Sequence, residues 1–241
     1  PKKPFASGIY GYPFMPRVLP GWVALPLLFS VTIFMVACAS SLQGGAKMIG
    51  VLMLVAVIPL IVFSAVYVGY NMLTLMMSTA NGYPQPVEWP RFDLGEWFGY
   101  ALFFWSPLFV GTLPGALLST GAPPFVRVAM VAISGLLLHP FLFLSMMDAN
   151  SPVMPYTRHI HRTVKLASGV WMKFYLALVP TLVAVVATCG AAALTSGTAA
   201  GTVLLVVASI VTSLGLTIYF RLLGRLAWVL GDVPTEEEEE D

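Results

Sequence analysis

Six apolar runs, each long enough to cross a bilayer, constrain this chain more than any other feature. They cover about residues 21–41, 46–79, 97–118, 125–147, 170–195 and 199–230. A run of about 20 apolar residues reads as a transmembrane helix. In hydrocarbon every backbone N–H and C=O must find a partner inside the segment, and the helix supplies one for each. The runs are continuous rather than alternating, which argues against a transmembrane β-barrel. With 58% hydrophobic and only 10% charged residues, the chain has too little charge to cover a water-soluble domain of 241 residues. The expected fold class is therefore all-α, a polytopic membrane protein built as a bundle of six transmembrane helices with interfacial segments. Residues 1–20 read as an interfacial lead-in, 21–231 as the six-span domain and 232–241 as a disordered acidic tail.

The polar stretches between the runs carry the punctuation. The lead-in holds four prolines between Pro4 and Pro20 with Phe5, Tyr10, Tyr12 and Phe14. That many prolines prevent a regular helix, and the rings suit a headgroup layer. The segment from Tyr83 to Glu96 is too polar to cross and too aromatic to float free, so it is expected along the membrane surface. Trp89, Trp97 and Trp171 are the expected interfacial anchors. The second and sixth runs are over-long: 34 residues rise roughly 50 Å against a hydrocarbon core of about 30 Å. Their ends are expected to project beyond the lipid. The closing EEEEED is a like-charge block.

Counting Lys and Arg orients the bundle. Six spans that begin inside place Lys2, Lys3, Arg17, Arg91, Arg158, Arg162, Lys165, Lys173, Arg221 and Arg225 on one side, and only Lys47 and Arg127 on the other. This asymmetry predicts both termini in the cytoplasm of a bacterial inner membrane. Arg158, Arg162, Lys165, Arg221 and Arg225 are expected to form one basic surface for anionic lipid headgroups or a partner protein. A net charge of +1 implies no nucleic-acid partner.

Candidate chemistry is sparse. His139 is the one ionisable side chain deep inside a run. Such a residue prompts a functional reading as proton relay, cofactor ligand or substrate contact. The simpler reading is a neutral imidazole that donates to a carbonyl left unpaired beside Pro140. His159 and His161 lie two residues apart, off a shared helix face and without a carboxylate or Cys at metal-ligand spacing. Cys38 and Cys189 each sit inside an apolar run and read as free, buried thiols. Gly111 and Gly115 form a GxxxG pattern, and Ala187 and Ala191 repeat its spacing; both suit close helix approach. Proline interrupts five of the runs, at Pro26, Pro59, Pro107 with Pro114, Pro140 and Pro180. No nucleophile elbow, phosphate loop or zinc-protease motif is present, so no catalytic residue, cofactor or metal site is expected.

A resemblance rests on Gly69, Tyr70, Gly82, Pro86, Trp89 and Pro90: a long second span ending near Gly-Tyr, then Gly, Pro and Trp-Pro in a short polar segment before the third span. This pattern resembles the bacterial and archaeal polytopic family called domain of unknown function 4013 (DUF4013). ANSPVMPYTRHIHRTV, WMKFY and YFRLLGRLAWVLGD look like a related group of six-span bacterial proteins. The resemblance implies the six-span architecture and no activity. The function expected from the sequence is a non-catalytic integral membrane protein, a structural or assembly subunit among other membrane proteins. The alternative is a transporter or channel for an apolar or lipidic small molecule.

Overall fold

A computed structural model of the chain describes residue 5 and residues 8–41, 47–86, 93–195 and 197–231. Among the described residues, seven α-helices follow a 3-10 turn at Tyr12–Phe14. They are α1 (Leu19–Ser41), α2 (Lys47–Ala80), α3 (Leu94–Leu118), α4 (Pro124–Asp148), α5 (Arg158–Leu166), α6 (Ser168–Leu194) and α7 (Ala199–Leu230). No strand occurs among the described residues. All but α5 are long and apolar enough to cross a membrane, so the chain is a polytopic helical membrane protein. Trp89 and the acidic tail lie outside the described residues.

Local chemistry sets the helix ends. The Asp93 carboxylate accepts from the N–H groups of Gly95 at 2.8 Å and Glu96 at 3.4 Å, capping α3. Thr198 caps α7 through the Gly201 N–H at 3.0 Å. After α2, Gly82 takes a positive φ of 79°, and the Tyr83 N–H returns to the Ser78 carbonyl, which closes the last turn. Each span is largely apolar around its circumference, since one side meets lipid and the other meets protein.

Successive spans alternate in direction. One end of the bundle, here the near end, holds the start of α1, α3 and α6 and the finish of α2, α4 and α7; the far end holds the others. α3 packs on α4 and α6 on α7, while α2 touches α1, α3 and α7. The core belongs to the near half. Met72, Leu73, Leu75 and Met76 of α2 join Phe220, Leu222, Leu223 and Leu226 of α7, with Phe143 and Phe174 beside them. Far halves are largely exposed, as at Met48, Leu52, Val55 and Ile58 of α2, Val183 and Val186 of α6 and Val203 of α7. The finishing turns of α2 and α7 do not stand free of the bundle: they are packed into its main hydrophobic core. A backbone crossing lets them meet, since a Cβ on Gly224 would stand 2.5 Å from the Met76 carbonyl oxygen.

Three expectations change, two of them at the near end. The lead-in folds back under the bundle: Ile9, Tyr12 and Val18 are fully buried, and only Tyr10 and Phe14 among its described rings are exposed. Trp97 and Trp171 are buried rather than presented to headgroups; Trp97 stacks on Tyr70 with centroids 5.0 Å apart. The thiols are free but not both buried, Cys38 being half-buried and Cys189 exposed.

Candidate functional site: an apolar crevice at mid-depth

Between the α3–α4 pair and the α6–α7 pair lies a crevice of about 260 Å³. Its back is formed by Phe104, Leu108 and Thr112 of α3, and Ala132, Gly135 and Leu136 of α4 lie along one side. Leu178, Leu182 and Val185 of α6 line the other side, and Gly215 and Leu216 of α7 complete it. The floor is His139, Tyr219 and Phe220. Small residues create the space. A Cβ on Gly215 would come to 3.0 Å from Val185 Cγ2, and one on Gly135 to 2.9 Å from Thr112 Cγ2.

The floor is polar but self-contained. His139 Nδ1 and the Tyr219 hydroxyl are 2.6 Å apart, and which of them donates follows the imidazole tautomer. Phe143 lies along the imidazole with centroids 5.4 Å apart, and Phe220 meets it edge-on. The imidazole also interacts with the Phe104 main chain. Thr112 spends its hydroxyl on the Phe109 carbonyl at 2.8 Å. The walls thus offer mainly hydrocarbon contact, with one unsatisfied polar atom, the buried Thr181 Oγ1 of α6.

His139 belongs to a pattern that sequence reading caught only in part. The carbonyl three residues before a proline lies beside the kink, where the helical ladder is broken. The Tyr175 hydroxyl donates to the Leu137 carbonyl at 2.6 Å, three residues before Pro140. The Tyr10 hydroxyl donates to the Ala177 carbonyl at 3.1 Å, three before Pro180. Phe104, beside His139, stands three before Pro107. Side chains from neighbouring segments thus donate to carbonyls beside the proline in two proline-interrupted helices, as a membrane interior favours. The expected carbonyl partner on His139's own helix is replaced by one on α3 and a hydroxyl on α7.

The five basic residues do not form one surface. Arg158 and Lys165 are exposed on α5, and Arg162 is half-buried there. Arg221 and Arg225 are buried, at 6% and 7% exposure. The Arg221 guanidinium lies 4.1 Å above the Tyr12 ring, and its Nη1 donates to Thr79 Oγ1 at 2.8 Å and the Tyr83 carbonyl at 3.1 Å. Burial holds the Tyr12 phenol above its ordinary pKa against the opposing pull of Arg221, so the ring stays neutral under the guanidinium. A buried pair enclosed by α2 and the lead-in cannot share a lipid-facing platform with α5, which packs on α4 and α6.

His159 pairs with Asp148, Nδ1 to carboxylate at 3.2 Å, while His161 faces the rings of Phe141 and Tyr156. Among the described residues no three His, Cys, Asp or Glu side chains converge. Comparison with known proteins adds no relative: no family model, curated protein or solved structure matches this chain.

Proposed function

We propose that this integral membrane protein is non-catalytic and holds an apolar or lipidic molecule in the mid-depth crevice, as a transporter of such molecules must. The crevice itself carries this reading. It is large enough for a ligand, lined by side chains that offer dispersion contacts, and floored by a histidine whose hydrogen bonds are already engaged. A water there would need two or more polar partners, and the lining offers few that are free. Left empty, its walls would forfeit van der Waals contacts, so a hydrocarbon occupant is favoured over water or an ion.

The competing reading, an assembly subunit, took the over-long second and sixth spans as projections toward a partner. Those ends pack against each other and the lead-in, which leaves less of them free to meet a partner. What supports that reading is the exposed far half of α2, which suits a second membrane protein or lipid equally. Native mass spectrometry of the protein released from mild detergent separates the two. An apolar small-molecule or lipid adduct, lost in Leu182→Trp, is the expected result. A stoichiometric protein partner together with an adduct-free protomer would overturn it. We further propose that the near end faces the cytoplasm and that α5 lies against anionic headgroups, in a bacterial inner membrane.

A further inference from the structure

The crevice has one open side. α3 packs on α4, α6 packs on α7, and α2 joins α3 to α7 at the back. Phe104 and Phe220 stack across the floor with centroids 5.4 Å apart. Among the described residues α4 and α6 do not pack along their lengths. They are tied at the near end by α5, and lower in the span by the Tyr175 hydroxyl on the Leu137 carbonyl. We propose that the gap between α4 and α6 is a lateral portal through which one hydrocarbon chain of a bilayer lipid enters the crevice, with the Tyr175–Leu137 hydrogen bond as its latch. This rests on the reading that the crevice holds an apolar molecule, and it names the molecule and its route.

Position, size and chemistry converge on that occupant. His139 stands about 13 Å of helix rise from the near end of α4, so the crevice lies at mid-bilayer depth, where chain ends of either leaflet arrive and headgroups do not. From Thr212 to Phe220 the lining of α7 rises about 12 Å, the extent of a medium-length alkyl segment. A volume of about 260 Å³ admits one chain rather than a bulky ring system. Ala132 at the rim is exposed and Val185 half-exposed, so the surrounding lipid already touches the opening. Lipid tails are as apolar as leucine, so transfer from the bilayer carries no hydrophobic gain. Residence is set by packing against Leu136, Leu178 and Leu182, which makes exchange with the bilayer rapid. Both flanking helices are interrupted next to the latch, α4 at Pro140 and α6 at Pro180, and prolines are where helices bend.

The test uses the full chain in liposomes containing phosphatidylcholine with a photoactivatable diazirine at the end of one acyl chain. After irradiation, labelled residues are mapped by mass spectrometry. Label is expected on Leu136, Leu182 and Val185. Ala132→Phe, which fills the rim from an already exposed position, should lower that label about fivefold or more and leave the lipid-facing Leu176 and Val183 labelled as before. Tyr175→Phe should raise the rate of crevice labelling about threefold to tenfold, the worth of one lost hydrogen bond. Crevice labelling no greater than at Val183 and insensitive to Ala132→Phe would overturn the portal, and an unchanged rate in Tyr175→Phe would overturn the latch. A free adamantane diazirine run in parallel separates the two levels. If it labels the crevice and the lipid chain does not, the apolar ligand stands and the lipid chain falls; if neither labels it, both fall.

Discussion

Arg221 shows how a charge is kept inside an apolar protein without a carboxylate at its described contacts. Its guanidinium is spread over a neutral ring, a hydroxyl and a main-chain carbonyl. Arginine suits this because its planar cation is weakly hydrated and stacks on aromatic faces. Hydrogen bonds to charged groups contribute about 1.5–3 kcal/mol each when buried. Arg221→Gln is therefore expected to lower the Tm in detergent by about 4–8 °C, taking about 2 kcal/mol and the usual scaling for a chain this long. Arg158→Gln, on the exposed face of α5, should move it by no more than about 1–2 °C. Equal shifts would mean that the buried contacts contribute nothing special. The spacing of Arg221 and Arg225 on one helix face was visible in the sequence. That this face turns inward was not, because the ring that receives Arg221 arrives from the lead-in, at the opposite end of the chain.

At the scale of elements, glycine decides where helices touch. Both glycines of the GxxxG pattern lie against α4, but they are not equivalent. A Cβ on Gly111 would meet Leu142 Cδ1 at 3.4 Å and Leu138 Cβ at 3.5 Å, ordinary contacts. A Cβ on Gly115 would strike the Met130 carbonyl and Ser134 Oγ, and that carbonyl cannot yield without moving α4. The Gly115 N–H also donates to Ser134 Oγ at 3.1 Å. Gly111→Ala is expected to be neutral or to stabilise by up to about 1 kcal/mol, the helix-propensity difference. Gly115→Ala should destabilise by about 1–3 kcal/mol through overpacking. Thermal unfolding of the two variants checks the opposite signs; two losses of equal size would discredit the contact geometry. The spans themselves were legible from hydropathy, with ends within about three residues of those found, because a bilayer sets their length. Their facing was not. When lipid and protein interior are equally apolar, a helix carries no stripe to mark its inner side. The crossings at Gly69, Gly215 and Gly224 reveal it, and the sequence marked none of these three as a helix contact, Gly69 standing out only through the family resemblance. The crevice was invisible for the same reason: most of its lining is leucine, phenylalanine, threonine and small residues, which occur in any span. His139 alone signalled it, and its partner Tyr219 lies three helices further along the chain.

At the scale of the whole molecule, packing and charge point to the same end. The near end gathers the buried core, the described lead-in, α5 and most of the described basic residues, while the far end is exposed and largely apolar. Arg221 and Arg225 are internal and do not report on the surrounding leaflet. Leaving them out, five described Lys and Arg residues (Arg17, Arg158, Arg162, Lys165 and Lys173) remain on the near side against Lys47 and Arg127 on the far side. Short basic segments flanking spans are retained on the cytoplasmic side, so the near end should face the cytoplasm. Lys165 is exposed on α5 at that end, and Lys47 opens α2 at the other. Single cysteines at these two positions, in a background lacking Cys38 and Cys189, report the orientation directly. A membrane-impermeant maleimide is expected to label Lys47→Cys in intact cells and Lys165→Cys only after the membrane is permeabilised. The reverse pattern would invert the bundle. Labelling of both from outside would break the parity that places the chain ends on one side, and the six-span arrangement would fall with it.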